Sequence, residues 1–412
     1  MKGMQRMAAG VLAACCLPLS GCGSPKVSDQ MEGVKAQPLT LAQTTQEEWN
    51  HVADFGVRLL QETMAEGEST LISPLSVLCA LAMTANGAKG ETLAQMEQVL
   101  GAPVDRLNQA VHALMGEESE TLHLANSVWF TQQESFTVNQ DFLQTNANYY
   151  GAGVYEAPFD ASTVKAINRW VKEETHGMIG EILDEIPPDT VMYLVNALAF
   201  EAEWDQVYTK SDVQSGTFTT HTGDTQSVEL MYSHEGIFLQ DEQTKGFVKP
   251  YAGGKYAFVA LLPEEGVSVE AYVDSLTGER LREILQQGQE TTVKAAIPKF
   301  ECGSDVQLTQ ALENMGMTLA FHGDQADLSG IGTYAGGNLF VNRVLHKTYI
   351  SVAEQGTRAG AATVVEVNGE GAMDPGQMQE VILNRPFVYL LVDLEHQMPL
   401  FLGTVMAVKS GA

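Results

Sequence analysis

Basic residues and cysteines are scarce in this chain, and long apolar stretches are confined to its start. Twenty-three Lys and Arg stand against 52 Asp and Glu, a formal net charge of -29 over 412 residues. With no basic field to neutralise phosphates, a broad DNA- or RNA-binding surface is excluded. Electrostatic attraction to anionic lipid is disfavoured for the same reason. No run of 18 apolar residues occurs beyond the N-terminus, which argues against a transmembrane bundle. Of the five cysteines, Cys15, Cys16 and Cys22 lie at the start. Cys79 and Cys302 are too few for a disulfide scaffold and read as small buried hydrophobes. The nine histidines are scattered without ligand spacing, so neither a metal nor a cofactor is expected. No Gly-rich dinucleotide fingerprint, nucleophile elbow or internal repeat is present. Core material is plentiful: 44% of the residues are hydrophobic, which rules out global disorder.

The first residues, Met1 to Arg6, form a short basic head. An apolar stretch follows to Leu19, and Leu19-Ser20-Gly21-Cys22 closes it. This is the architecture of a secretion signal. Its ending resembles a bacterial lipoprotein box. That resemblance implies removal of residues 1–21, lipidation of Cys22, and an exported protein anchored at the cell surface, or extracellular if the anchor is shed. Residues 22–48, rich in Ser, Gln, Thr, Lys and Gly, read as a flexible tether.

From Trp49 onward the chain reads as one domain, 49–412. Apolar residues at three-to-four spacing predict helices over 49–64 and 164–175. Apolar helices are expected over 75–85, entered at Pro74, and over 89–100, closed by Gly101. A further helix is expected over 305–315. Apolar runs predict strands over 70–73, 122–130, 190–200, 236–239, 246–251, 256–262, 292–300, 339–344, 349–352, 387–394 and 399–408. Helices and strands do not alternate regularly, so the class is mixed α+β.

One segment has unusual grammar. From Thr357, alternate residues run Thr357, Ala359, Ala361, Thr363, Val365, Val367, and none is charged. The other register, from Arg358 through Gly360 to Glu366, carries every charge. That is the pattern of a strand with one buried face. Yet loop-like residues follow it (Asp374-Pro375-Gly376 reads as a turn), as if the segment could change partners.

Several ordered motifs then give a family resemblance. Glu354-Gln355-Gly356-Thr357-Arg358-Ala359-Gly360-Ala361 resembles the hinge of the serpin superfamily of protease inhibitors. Ile72-Ser73-Pro74-Leu75-Ser76, Asn126-Ser127-Val128-Trp129-Phe130, Asn168-Arg169-Trp170, Asn196 to Trp204, Ile297-Pro298-Lys299-Phe300, Leu345-His346-Lys347 and Asn384-Arg385-Pro386-Phe387 fall in family order.

The resemblance implies three β-sheets, eight or nine helices and an exposed reactive-centre loop at about 356–380. It implies a suicide substrate rather than an enzyme. A protease cuts the loop, which inserts into the main sheet and traps the acyl-enzyme. Ser73, Ser76, Asn196 and His346 match the family's shutter, and Trp204 its breach. Counting Glu354 as the seventeenth residue before the cleaved bond places that bond at Glu370–Gly371, with Met373–Asp374 as the alternative. The implied partner is a serine-class protease (elastase-like, subtilisin-like or glutamyl endopeptidase), and a cysteine protease is a lesser option. No basic residue lies between Arg358 and Arg385, which disfavours a trypsin-like target. The inward positions carry no bulk, charge or proline, so insertion is physically permitted. A monomer is expected. The alternative is a non-inhibitory binding protein of the same fold.

Overall fold

A computed structural model describes residues 27–115, 121–132, 136–187, 190–333, 337–357 and 378–409. Nine α-helices lie among them: α1 (Gln46–Thr63), α2 (Pro74–Ala85), α3 (Gly90–Leu100), α4 (Val104–Met115), α5 (Gln140–Tyr149), α6 (Ala161–Glu174), α7 (Val269–Ser275), α8 (Gly278–Gln286) and α9 (Thr309–Met315).

The main sheet is built from two ladders. The first has β1 (Ser28–Asp29), β5 (Gly153–Ala157), β3 (Leu122–Thr131) and β6 (Met192–Phe200) in that spatial order. The second has β13 (Phe300–Gln307), β15 (Leu345–Val352), β16 (Gly356–Thr357) and β7 (Ala202–Glu203). The ladders meet at one parallel bridge, Leu194 to Val344. Two further sheets share the long strand β9 (Thr225–Gln240). On one side of it lie β12 (Gln289–Pro298) and then β17 (Gln379–Ile382). On its other side β8 (Val213–Thr219) pairs with its first half, and β10 (Thr244–Pro250) pairs with its second half, followed by β11 (Tyr256–Pro263), β18 (Phe387–Asp393), β19 (Met398–Val405) and β2 (Thr70–Ile72). A small pair, β4 (Thr137–Val138) with β14 (Gly332–Thr333), stands apart. This is the α+β, three-sheet architecture that the resemblance implies.

The core follows from composition. β11, β18 and β19 are buried at every position, as continuous apolar runs require. All twelve residues of α2 are buried too, so this helix is apolar all round. Its N-terminus is fixed by Pro74 in the first turn and by Ser73, whose Oγ accepts from the Ser76 N–H. α3 ends at Gly101 with φ of 90°, where a Cβ would sit 2.8 Å from the His51 carbonyl oxygen.

Three expectations are corrected. Residues 305–307 are strand, not helix, because they continue the β13–β15 ladder and Asp305 pairs with Lys347 at 3.3 Å. The helix begins only at Thr309. Among residues 339–344 only Val344 makes a bridge, whereas β15 runs unbroken through His346-Lys347-Thr348. Its alternation buries His346, Thr348, Ile350 and Val352. Third, the segment read as a free tether is laid against the domain from residue 27 on. Ser28–Asp29 pairs with β5, and the Gln37 and Ala42 N–H groups donate to Asn148 and Gln109. Polar composition suggests a tether, but a sheet edge and amide side chains satisfy the same polar backbone in place. Cys22 lies outside the described residues.

Candidate functional site

The gap between β6 and β15 is the candidate site. The two strands lie side by side, joined by one parallel bridge from Leu194 to Val344, just before β15, so the gap is a closed seam that an incoming strand has to part. At the upper end β16 enters between their extensions. Thr357 pairs antiparallel with Val352 on one side and with Ala202 on the other. A strand antiparallel to both neighbours is what two separated parallel strands can accept, with a ladder on each side.

Local chemistry seats the hinge. The turn from Val352 to Gly356 closes on a 3.0 Å bond from the Ala353 N–H to the Gly356 carbonyl. Its three carbonyls are all satisfied: Trp204 Nε1 donates to Ala353, the Tyr208 N–H to Glu354 and the Trp204 N–H to Gln355. Gly356 passes so close to β7 that a Cβ would lie 1.9 Å from the Ala202 carbonyl oxygen. Thr357 is 1% exposed, and its hydroxyl shares a hydrogen bond with the Tyr251 hydroxyl.

Behind the hinge lies a buried charged and aromatic cluster. The Trp204 and Tyr251 rings stack at 4.5 Å. Lys249 Nζ sits 4.3 Å from the Tyr208 ring centroid and bonds Glu235 at 3.0 Å. Both partners are desolvated, with side chains 2% and 7% exposed. Glu235 also accepts from Ser233 at 2.6 Å. Nearer solvent, Lys299 joins the carboxylates of Glu229, at 2.9 Å, and Glu354. Burial opposes ionisation of Glu354, but the Lys299 ammonium more than offsets this and holds the carboxyl below its ordinary range.

The floor is neutral. His346 on β15 accepts from the Ser73 N–H through Nε2 at 2.9 Å. Ser73 Oγ donates to the Leu400 carbonyl at 2.8 Å. Ser76 Oγ donates to Asn196 on β6, and Asn196 donates in turn to Asn126 on β3. Asn126 Nδ2 is buried with no partner. Both strands flanking the gap are thus tied to the N-terminus of α2. Burial pushes His346 down to about 4, so the ring is neutral, with its proton on Nδ1. Its Nε2 is occupied by a backbone N–H and cannot deprotonate a serine, so Ser73 and Ser76 have no base.

The face of the sheet is covered by α6 and the linker that follows it. Ile167, Val171, Ile179 and Leu183 pack on Trp129, Tyr193, Val195 and Ala197, with Leu345 of β15 at the margin. Asn168 pins the linker, donating to the Leu183 carbonyl at 2.7 Å and accepting from the Ile182 and Leu183 N–H groups.

Of the residues expected from sequence, Ser73, Ser76, Asn196 and His346 converge on the floor. Trp204, Glu354, Gly356 and Thr357 converge at the upper end. Arg358, Ala359, Gly360, Ala361, Glu370, Gly371, Met373 and Asp374 lie outside the described residues. Sequence reasoning missed Glu235 on β9, Lys249 on β10 and Tyr251 just past the end of β10. It also gave Asn126 no role, although the residue sits in a motif already singled out.

Comparison with known proteins agrees with this geometry. The family described as Serpin (serine protease inhibitor) matches residues 50–408. A serpin-like protein of Thermococcus kodakarensis is 31% identical over 374 residues, covering 88% of this chain and 86% of its own. The thermophilic serpin tengpin in its native state is 43% identical, with a TM-score of 0.87 over 93% of this chain and all of its own. In its latent state the TM-score is 0.79, at 41% identity, over 90% of this chain and all of its own.

Proposed function

The chain belongs to the serpin family, and we propose that it inhibits serine proteases by offering its loop for cleavage and inserting the cut end as a strand. As a serpin it is not an enzyme. The observation that carries the proposal is the hinge: Thr357 already lies antiparallel between two strands, at the head of a slot bounded by parallel β6 and β15.

In the reaction, the protease serine attacks the carbonyl before the scissile bond. The peptide bond breaks, an ester to the protease forms, and the new amine takes up a proton. Residues from 358 onward then continue the β16 register, and the tethered protease is carried along before water can cleave the ester. The proposed scissile bond is Glu370–Gly371, with Met373–Asp374 the alternative for a protease with an apolar pocket. The protein is proposed to act as an exported monomer held at the cell surface through lipidated Cys22.

The test is a panel of elastase-like, subtilisin-like and glutamyl endopeptidases mixed with the full chain. An SDS-stable complex is expected with at least one, together with raised thermal stability of the cleaved protein. Mass spectrometry of the released fragment identifies the bond. Clean cleavage by the whole panel, with no complex and no gain in stability, overturns the proposal in favour of a non-inhibitory binding protein.

A further inference from the structure

Basic side chains are few in this molecule, and three of them stand together. Lys165, Arg169 and Lys172 lie within eight residues of α6, where an even spread of 23 over 412 would put fewer than one. At 3.6 residues per turn they fall within an arc of about 60°, and all three are exposed. Thr163, Ala166, Ile167 and Val171 form the buried face of the helix, centred opposite that arc. The stripe thus points straight away from the main sheet, with Glu173 at its border. Among the described residues, none of the three cations has an ion pair. Alone, such a stripe is a solvated helix face, but the path of the chain gives it a partner.

Val27 packs against the same apolar cluster as Val164 and Trp170 of α6, and Ser28–Asp29 adds to β5 at the sheet edge. The chain therefore enters the fold beside α6. Cys22 precedes Val27 by five residues, a reach of at most about 18 Å. That is enough to clear a helix about 10–12 Å across. It is too little to let a domain of this size, with a radius of gyration of about 21 Å, turn over. A bilayer that holds Cys22 meets the α6 side of the molecule.

We infer that Lys165, Arg169 and Lys172 seat the protein on an anionic lipid surface, with the outer face of α6 against the headgroups. The inference rests on the anchoring through Cys22 proposed above. The net charge of -29 repels such a surface as a whole. Screening at physiological salt limits each contact to about 8 Å, so the bilayer reads the stripe rather than the sum. The same acidity keeps the other faces away. Seated in this way, the main sheet lies along the membrane, and the hinge at its strand ends points sideways, open to proteases in solution.

The experiment uses the processed chain, residues 22–412, coupled through the Cys22 thiol to a maleimide lipid in vesicles. Cys79 and Cys302 are buried and do not compete. The vesicles are phosphatidylcholine alone, or phosphatidylcholine and phosphatidylglycerol in equal parts. Lysines are acetylated with a water-soluble ester and read by mass spectrometry. A cation at an anionic surface gains about fivefold in occupancy. Lys165 and Lys172 are therefore expected to react at least about fivefold more slowly on the anionic vesicles, while Lys89 and Lys210, exposed on other elements, keep their rates. Lys165→Gln/Arg169→Gln keeps Lys172 as reporter and keeps the helix, since glutamine is a good helix former. The protection of Lys172 is expected to be lost in it. Equal rates on both vesicles, protection of Lys89 and Lys210 to the same degree, or protection that survives in the variant overturns the inference. So does equal protection by a soluble polyphosphate on neutral vesicles, which would assign the stripe to a polyanion. Because the anchor is supplied chemically, an exported protein without lipid on Cys22 refutes the anchoring and leaves the footprint standing. A lipidated Cys22 with no footprint refutes the stripe alone.

Discussion

At the upper end of the gap between β6 and β15 the contacts are charged and aromatic, whereas along its floor they are neutral hydrogen bonds. Above, Lys249 and Glu235 are buried together, Trp204 stacks on Tyr251, and Tyr251 holds Thr357. Below, His346, Ser73, Ser76, Asn196 and Asn126 form a chain in which one amide nitrogen has no partner. Breaking a buried ion pair by removing one member costs about 3–5 kcal/mol, while a neutral hydrogen bond contributes about 1 kcal/mol net. Opening is therefore easier along the floor than at the head. Under the proposed mechanism, the head would fix where a strand enters and in which register, and the floor would be the part unmade and remade as it passes.

The most damaging way to break this contrast is to put charge at the head. Thr357→Arg places a guanidinium at a position 1% exposed, against a tyrosine hydroxyl. An unpaired buried charge costs about 3–5 kcal/mol, on the order of a hundredfold or more in the population of the seated hinge. The expected result is a chain that proteases cut but do not become trapped by, read as loss of SDS-stable complex. Undiminished complex yield would mean that Thr357 does not face the core.

Next in size is Lys249→Met, which leaves Glu235 buried without its cation. A loss of about 3–5 kcal/mol is expected from denaturant unfolding, with much of it restored in the Lys249→Met/Glu235→Leu double variant. Equal losses in the single and double variants would show that the pair acts through packing alone.

The floor is expected to respond to pH instead. His346 is neutral in the fold, held at about 4 by burial, against an ordinary value of 6.5 in the unfolded chain. Between those values the native state binds fewer protons than the unfolded state. This stabilisation is fully present above about pH 6.5 and is lost as pH falls toward 4, a change of about 3 kcal/mol. His346→Gln, which keeps an acceptor near the Ser73 N–H, should flatten that dependence. Denaturant midpoints from pH 7 to 4 give the comparison, and identical slopes in both proteins would remove His346 as the cause.

How much of this was legible in sequence differs between the same two regions. The buried elements were plain, because an unbroken apolar run such as Met192–Phe200 has few other fates. The burial of Thr357 was plain for a similar reason: every charge in its segment falls on the other parity. Residues 305–307 were misassigned because their pattern is weak and the ladder to β15 decides it. The floor residues were named through family motifs, and their hydrogen bonds became visible only with the β3–β6 register. The head cluster could not have been assembled. Lys249 is on β10 and Tyr251 just past its end, and Glu235 on β9 reaches Lys249 only because β9 and β10 pair as a hairpin.

The smallest effect is expected at the outer rim of the head, where charge is also present but water is near. Lys299 bonds Glu229 and Glu354, whose side chains are 60% and 35% exposed. Solvent screening leaves such pairs worth about 0–1 kcal/mol. Lys299→Ala should therefore shift the unfolding midpoint slightly, and 0.5 M salt should erase most of the difference, since the Debye length there is only about 4 Å. The same salt should leave the Lys249→Met penalty almost unchanged, because that pair is sealed from ions. A Lys299 effect as large as that of Lys249, or one indifferent to salt, would mean that the rim and the buried cluster act as one unit. The head would then owe its strength to a connected network rather than to burial.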